Sequence, residues 1–200
     1  MNMKYLLSVL VGLFVHICAG QFSSEVWHDG FLVTSKNDTL RGKIKYDMES
    51  NSVQFYNDQF VRTFSSFQLV YFNIFDEVLD SYRQFYSIPY RLQTDYETPI
   101  IFELLYEGKL SLLSREIVVQ EAVPAGAGVY TGSIVRDRLS QAFFFVDKKG
   151  KLTNYNGKKS ALFSIMQDKS SKVKSFIKQN KLRANTTRDL VRITAFYNSI

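Results

Sequence analysis

The chain is short of most residues that carry chemistry: one cysteine, two histidines, one tryptophan and three prolines in 200 residues. Each shortage excludes something. One cysteine makes no internal disulfide. Structural zinc takes about four Cys or His ligands, and Cys18, His16 and His28 fall short of that. A Ser-His-acid triad on the exported chain would have only His28, which stands beside Trp27. No glycine-rich phosphate loop is present either. Gly126-Ala-Gly128 is too short and lacks the strand-to-helix setting such a loop needs. No cofactor is implied. Long hydrophobic runs are absent after the first twenty residues, since Ile100 to Leu105 and Ala142 to Val146 are only strand-sized.

What is present begins at the N-terminus. Lys4 is followed by an apolar run from Tyr5 to Ile17 and by the small residues Ala19 and Gly20. That order predicts a secretory signal peptide over residues 1–20. Cleavage after Gly20 would expose Gln21 and remove both His16 and Cys18, leaving a chain without cysteine. Two rivals are weaker. An uncleaved anchor needs ~20 apolar residues to cross a bilayer. Lipidation of Cys18 asks for a small residue before it, and Ile17 stands there. Export would place the protein in a periplasm, at the periphery of an outer membrane, or outside the cell.

Hydrophobic residues make up 46% of the chain and aromatics 15%, including 17 Phe and 12 Tyr. Disorder is therefore not expected, and aromatics favour strands. Charge is unevenly placed. From Gln21 to Asp147, 11 basic residues stand against 17 acids, a net of −6. From Lys148 to Arg192, 13 stand against Asp168 and Asp189, a net of +11. Such asymmetry points either to an anionic partner for the tail or to attraction between the two halves.

Alternation predicts strands at Phe31 to Ser35 and Leu40 to Tyr46 around a turn at Lys36 to Thr39, with Gly42 marking a bulge or a close backbone approach. Short strands follow near 52–56, 60–64 and 67–72. In Ser81 to Tyr90, residues Tyr82, Gln84, Tyr86, Ile88 and Tyr90 share a side, and Pro89 should end the pairing or lie on an edge. Thr98 to Tyr106 and Lys109 to Val119 flank Glu107-Gly108, which reads as a two-residue hairpin loop. A mobile loop is expected over Ala122 to Ser133, then strands at Gln141 to Asp147 and Lys151 to Tyr155. After Gly157 the period turns helical, with stripes through Leu162, Phe163 and Met166, through Val173, Phe176 and Ile177, and through Leu190, Ile193, Phe196 and Tyr197. Asp168 or Ser170 would cap the second helix, and Thr186 with Asp189 would open the third.

Two sets of residues are candidates for function. A two-residue loop places Glu103 opposite Leu112 and beside Ile101, Leu105 and Leu110. A carboxylate in apolar surroundings is the kind that serves as a general acid, unless a basic residue from elsewhere pairs with it. No second acid is tied to it by spacing. Lys172, Lys174 and Lys178 would meet anionic groups, and no nucleic-acid motif accompanies them. The tyrosines at 82, 86 and 90 would stack on sugar rings or peptide, or else serve core and cross-strand packing.

The tail from Asp168 to Leu182, with Asp189-Leu-Val-Arg-Ile-Thr-Ala-Phe-Tyr-Asn198, resembles the C-terminus of uncharacterised exported proteins of the Bacteroidota. The Asp38-Thr-Leu-Arg-Gly-Lys-Ile44 hairpin is similar to their N-terminal part. The resemblance implies a bacterial envelope location and carries no known activity.

The expectation is an α+β protein. A signal peptide (1–20) precedes an antiparallel sheet or small barrel (about 30–155, within a β-rich region 21–157). Two or three basic helices fill 158–200. The function expected is non-catalytic binding to an anionic envelope component or another envelope protein. A carboxylate-dependent glycan hydrolase using Glu103 is one alternative. A tail that docks on the acidic half of its own chain is another.

Overall fold

The structure is a computed structural model, and it describes residue 24 and residues 26–91, 96–124 and 133–200. The expected signal peptide with Cys18 and most of the expected loop over 122–133 lie outside the described residues. Ten strands make one antiparallel sheet: β1 (His28–Thr34), β2 (Thr39–Asp47), β3 (Ser52–Asn57), β4 (Phe60–Ser65), β5 (Leu69–Asp76), β6 (Ser81–Tyr90), β7 (Thr98–Tyr106), β8 (Leu110–Pro124), β9 (Ser133–Asp147) and β10 (Leu152–Tyr155). Three helices follow: α1 (Lys159–Ile165), α2 (Ser170–Gln179) and α3 (Thr187–Ser199). Of the two β architectures expected, the open sheet forms and the closed barrel does not, for the strand order ends on β10 and β4.

The order is β10-β9-β8-β7-β6-β5-β1-β2-β3-β4. β1 is the hub, with the meander β2–β4 on one side and β5–β10 on the other. The sheet must curl. Three strands lie between β4 and β5, so a flat sheet would separate them by about 19 Å at ~4.8 Å per strand. Only the 3₁₀ turn Ser66–Gln68 joins them, and a link that short reaches roughly 13 Å at most. Paired Gly30 and Gly42 permit the tight coil. A Cβ on Gly30 would lie 2.1 Å from the Asn73 carbonyl oxygen, and one on Gly42 2.4 Å from that of Tyr56. Gly42 is thus a close approach and not a bulge.

One face of the sheet is covered in two ways. Across β1–β6 the sheet folds over itself around Leu32, Ile44, Val53, Phe55, Phe72 and Phe85. Across β7–β10 the same face takes the helices, whose Leu162, Val173 and Leu190 meet Leu112, Phe145 and Tyr155. On the reverse face Phe102, Leu113 and Phe144 form a third cluster.

Several local expectations need correction. β5 starts at Leu69, because Ser66–Gln68 is a turn in which Gln68 accepts from the Ser65 N–H. The β7–β8 connection is three residues long, since β7 stops at Tyr106 and β8 begins at Leu110. There the Leu110 N–H and C=O are taken by the Asn198 side chain at 3.0 and 2.9 Å and are turned away from β7. The strands β8 and β9 run on to Pro124 and Ser133, into the stretch expected as loop. Pro89 lies where β6 has lost β5 and pairs with β7 alone, the edge position a proline tolerates. Lys169 precedes α2, while Asp168 accepts from the Tyr197 hydroxyl instead of capping. Thr186 does open α3, but without a side-chain cap bond, and Asp189 accepts from the Arg183 N–H.

Candidate functional site

A buried polar cluster sits at the boundary between the two halves of that covered face. Alternation along β6 sends Tyr82 and Gln84 to one side and Arg83 with Phe85 to the other, into the interior. Arg83 is 7% exposed. Its Nε donates to Glu103 at 2.7 Å and its Nη2 to the other Glu103 oxygen at 2.9 Å, a two-pronged pair. Nη2 also donates to Glu116 at 3.2 Å, and Nη1 to Asp76 at 3.1 Å and to the Tyr46 hydroxyl at 2.9 Å. These five bonds equal the five N–H groups of a guanidinium. The cation also lies over the Tyr46 and Phe85 rings at 5.5 and 5.1 Å. Burial opposes its charge, but the Glu103 bonds and charge outweigh it, with help from Tyr46 and Glu116. Arg83 is held above the ordinary arginine value.

Glu103 is therefore buried, as the strand pattern expects, but its neighbours are different. The three-residue turn shifts the register, so Glu103 faces Ser114 and not Leu112. The Ser114 hydroxyl donates to it at 3.2 Å. Both carboxylate oxygens accept from the protein, and a substrate would have to displace Arg83 to reach them. Two further acids, Glu116 and Asp76, share Arg83 with Glu103. Sequence reasoning missed Arg83 and Glu116. The signal for Arg83 was there, since the alternation that groups the tyrosines puts Arg83 beside Phe85. Nothing in the sequence announced Glu116, which arrives from a non-local pairing.

A second polar device holds the curl in place. Asn51, in the left-handed region at φ 56°, donates to Ser66 Oγ at 2.7 Å and to the Pro99 carbonyl at 2.8 Å. It accepts from the Ile101 N–H at 2.8 Å. Arg115 adds bonds to the carbonyls of Ile101 and Met48. Burial pulls Arg115 below the usual arginine value, with the Asp47 charge opposing.

The basic candidates lie elsewhere. Lys172, Lys174 and Lys178 are exposed on α2, while Val173 and Ile177 of the same helix are buried. Lys174 rests over the Phe163 ring at 5.0 Å. Between α2 and α3 an open groove of about 380 Å³ is lined by Ser171, Lys172, Ser175, Phe176, Gln179 and Phe196. Its two phenylalanines are stacked at 4.0 Å. Among the described residues, no ion pair joins a basic residue of the tail to an acid of the β region. The tail docks by apolar contact, and its charge is turned outward. The structure thus keeps Glu103 and the three lysines in separate places.

The tyrosine side splits up. Tyr82 is 81% exposed, Tyr86 stacks on Tyr71 at 5.6 Å, and Tyr90 packs edge-on to Phe102 and Phe144. His28 is buried and stacks on Tyr46 at 6.3 Å. Among the described residues no group of three or more His, Cys, Asp or Glu could hold a metal ion, and no helix is long and apolar enough to cross a membrane. Comparison with family models, curated proteins and solved structures finds no match to this chain.

Proposed function

We propose that this protein is an exported, non-catalytic module of a bacterial cell envelope that docks onto an anionic envelope component through its helical face. One observation supports the reading above the others. Residues 158–200 carry ten basic residues against two acids, a net of +8, and they spend their apolar stripes on the sheet while Lys172, Lys174 and Lys178 face solvent. Like charges held on one face attract an anionic surface, each basic residue adding about 1 kcal/mol near such a surface. The open groove with Phe176 and Phe196 beside Lys172 adds an apolar contact next to the charge.

The test is co-sedimentation of the purified protein with vesicles of anionic or zwitterionic lipid, and a pull-down on an anionic polysaccharide resin, at low and high salt. Retention on either anionic material that falls as salt rises is the expected result. The K172E/K174E/K178E variant should bind at least tenfold more weakly with its melting temperature nearly unchanged. Equal binding by that variant overturns the reading. The two materials separate a lipid headgroup from a polysaccharide as the source of the anion.

A further inference from the structure

Among the described residues, β8 past Ser114 has no partner strand but β9, and β9 from Ser133 to Ala142 has no partner strand but β8. The distal parts, Ile117–Pro124 and Ser133–Ser140, form a two-stranded ribbon about 26 Å long that leaves the sheet. Isolated two-stranded ribbons are marginal in water. This one also exposes apolar side chains on both faces, with Val118 at 51%, Val135 at 59% and Ile134 at 47% exposure. Neither strand of the ribbon carries a lysine, a common device against edge pairing.

We infer that the ribbon is a dimerisation arm, in which the outer edge of β8 pairs antiparallel with the same edge of a second copy about a two-fold axis at Gln120. The sequence of the edge is self-complementary about that point. Gln120 meets Gln120, Val118 meets Ala122, and Ile117 meets Val123, all on matching faces. Glu121 falls opposite Val119 and keeps its own Arg138 at 3.0 Å. The middle of the β9 edge is disfavoured as a centre for such pairing. Centred on Asp137 it sets Asp against Asp and Arg136 against Arg138, and centred on either arginine it sets Arg against Arg. Like charges directly opposite destabilise a sheet. Glu121 and Asp137 balance Arg136 and Arg138, so two arms meet without net repulsion. Two helical faces at net +8 each would repel.

This inference goes beyond the envelope reading and is tested without any anionic ligand, so one can fail and the other stand. Sedimentation equilibrium of the purified full chain in a Cys18→Ser background should show a monomer–dimer equilibrium. Val118→Lys with Ala122→Lys puts lysines opposite one another and should weaken dimerisation at least tenfold, with an unchanged circular dichroism spectrum. Gln120→Cys should form a disulfide-linked dimer on mild oxidation, and Asp137→Cys should not. A protein that stays monomeric at all concentrations, or a dimer indifferent to the two lysines, overturns the inference. So does crosslinking at 137 without crosslinking at 120. Should the lysine variant fail to fold, the cysteine pair decides alone.

Discussion

The same face of one sheet is buried in two ways, and the contrast shows where the chain needs polar residues in its interior. Across β1–β6 the sheet covers itself. Across β7–β10 three helices cover it. Each half has an aromatic and aliphatic core. They meet over β6–β8, and there Arg83 ties Asp76, Glu103, Glu116 and Tyr46 together. The curled half is closed by directional hydrogen bonds from Asn51 and Arg115. The helical half is closed by apolar contact with few polar links, among them Asn198 to Leu110 and Tyr155 to Ala184.

Removing the seam should break both halves together. Arg83→Met leaves three acids buried around a neutral side chain. Stability should fall by about 3–5 kcal/mol, the cost of breaking a buried ion pair from one side. Urea unfolding read by tryptophan fluorescence and by far-UV circular dichroism checks it. A loss under 1 kcal/mol would mean that the cluster is not a structural tie.

Asn51→Ala should strike the curled half alone. It strips hydrogen bonds from the Ile101 N–H and the Pro99 carbonyl and puts a β-carbon without a polar group at positive φ. About 2–3 kcal/mol should be lost. Hydrogen exchange should quicken in β2, β3 and β7 before it does in the helices. Equal quickening in α1–α3 would show that the halves do not open separately.

The smallest effect belongs to the helical half. Burial pushes the Tyr155 phenol up to about 12, against ~10 in an unfolded chain. The neutral phenol, donating to the Ala184 carbonyl at 2.6 Å, therefore favours the folded state. That contribution is full below pH ~10 and is lost as pH rises through about 12. Tyr155→Phe should cost about 1 kcal/mol at neutral pH and flatten the decline of stability between pH 10 and 12. A wild-type and variant that fall in parallel over that range would disprove the assignment.

The fold class and most element positions were legible in local pattern. Period two marked β2 and β6 and period 3.6 marked the helices, because these elements bury one side and the side-chain repeat follows backbone geometry. The outward lysines were legible too, since a helix with one apolar stripe must turn its charges away from it. Three things were decided only in three dimensions. The register of β7 against β8 hung on Asn198, which is 88 residues from Leu110. The far end of the ribbon, Ala122 to Pro124 and Ser133, was read as loop, and Ile134 to Ser140 as no strand, because the ribbon buries neither face and alternation had little to mark. The partner of Glu103 could not be named, because Arg83 reaches it through the pairing of β6 with β7 and Glu116 through that of β7 with β8. Local sequence records which side of an element is buried. Which buried groups meet depends on strand order, and a sheet whose hub is its first strand sets that order through contacts far apart in the chain.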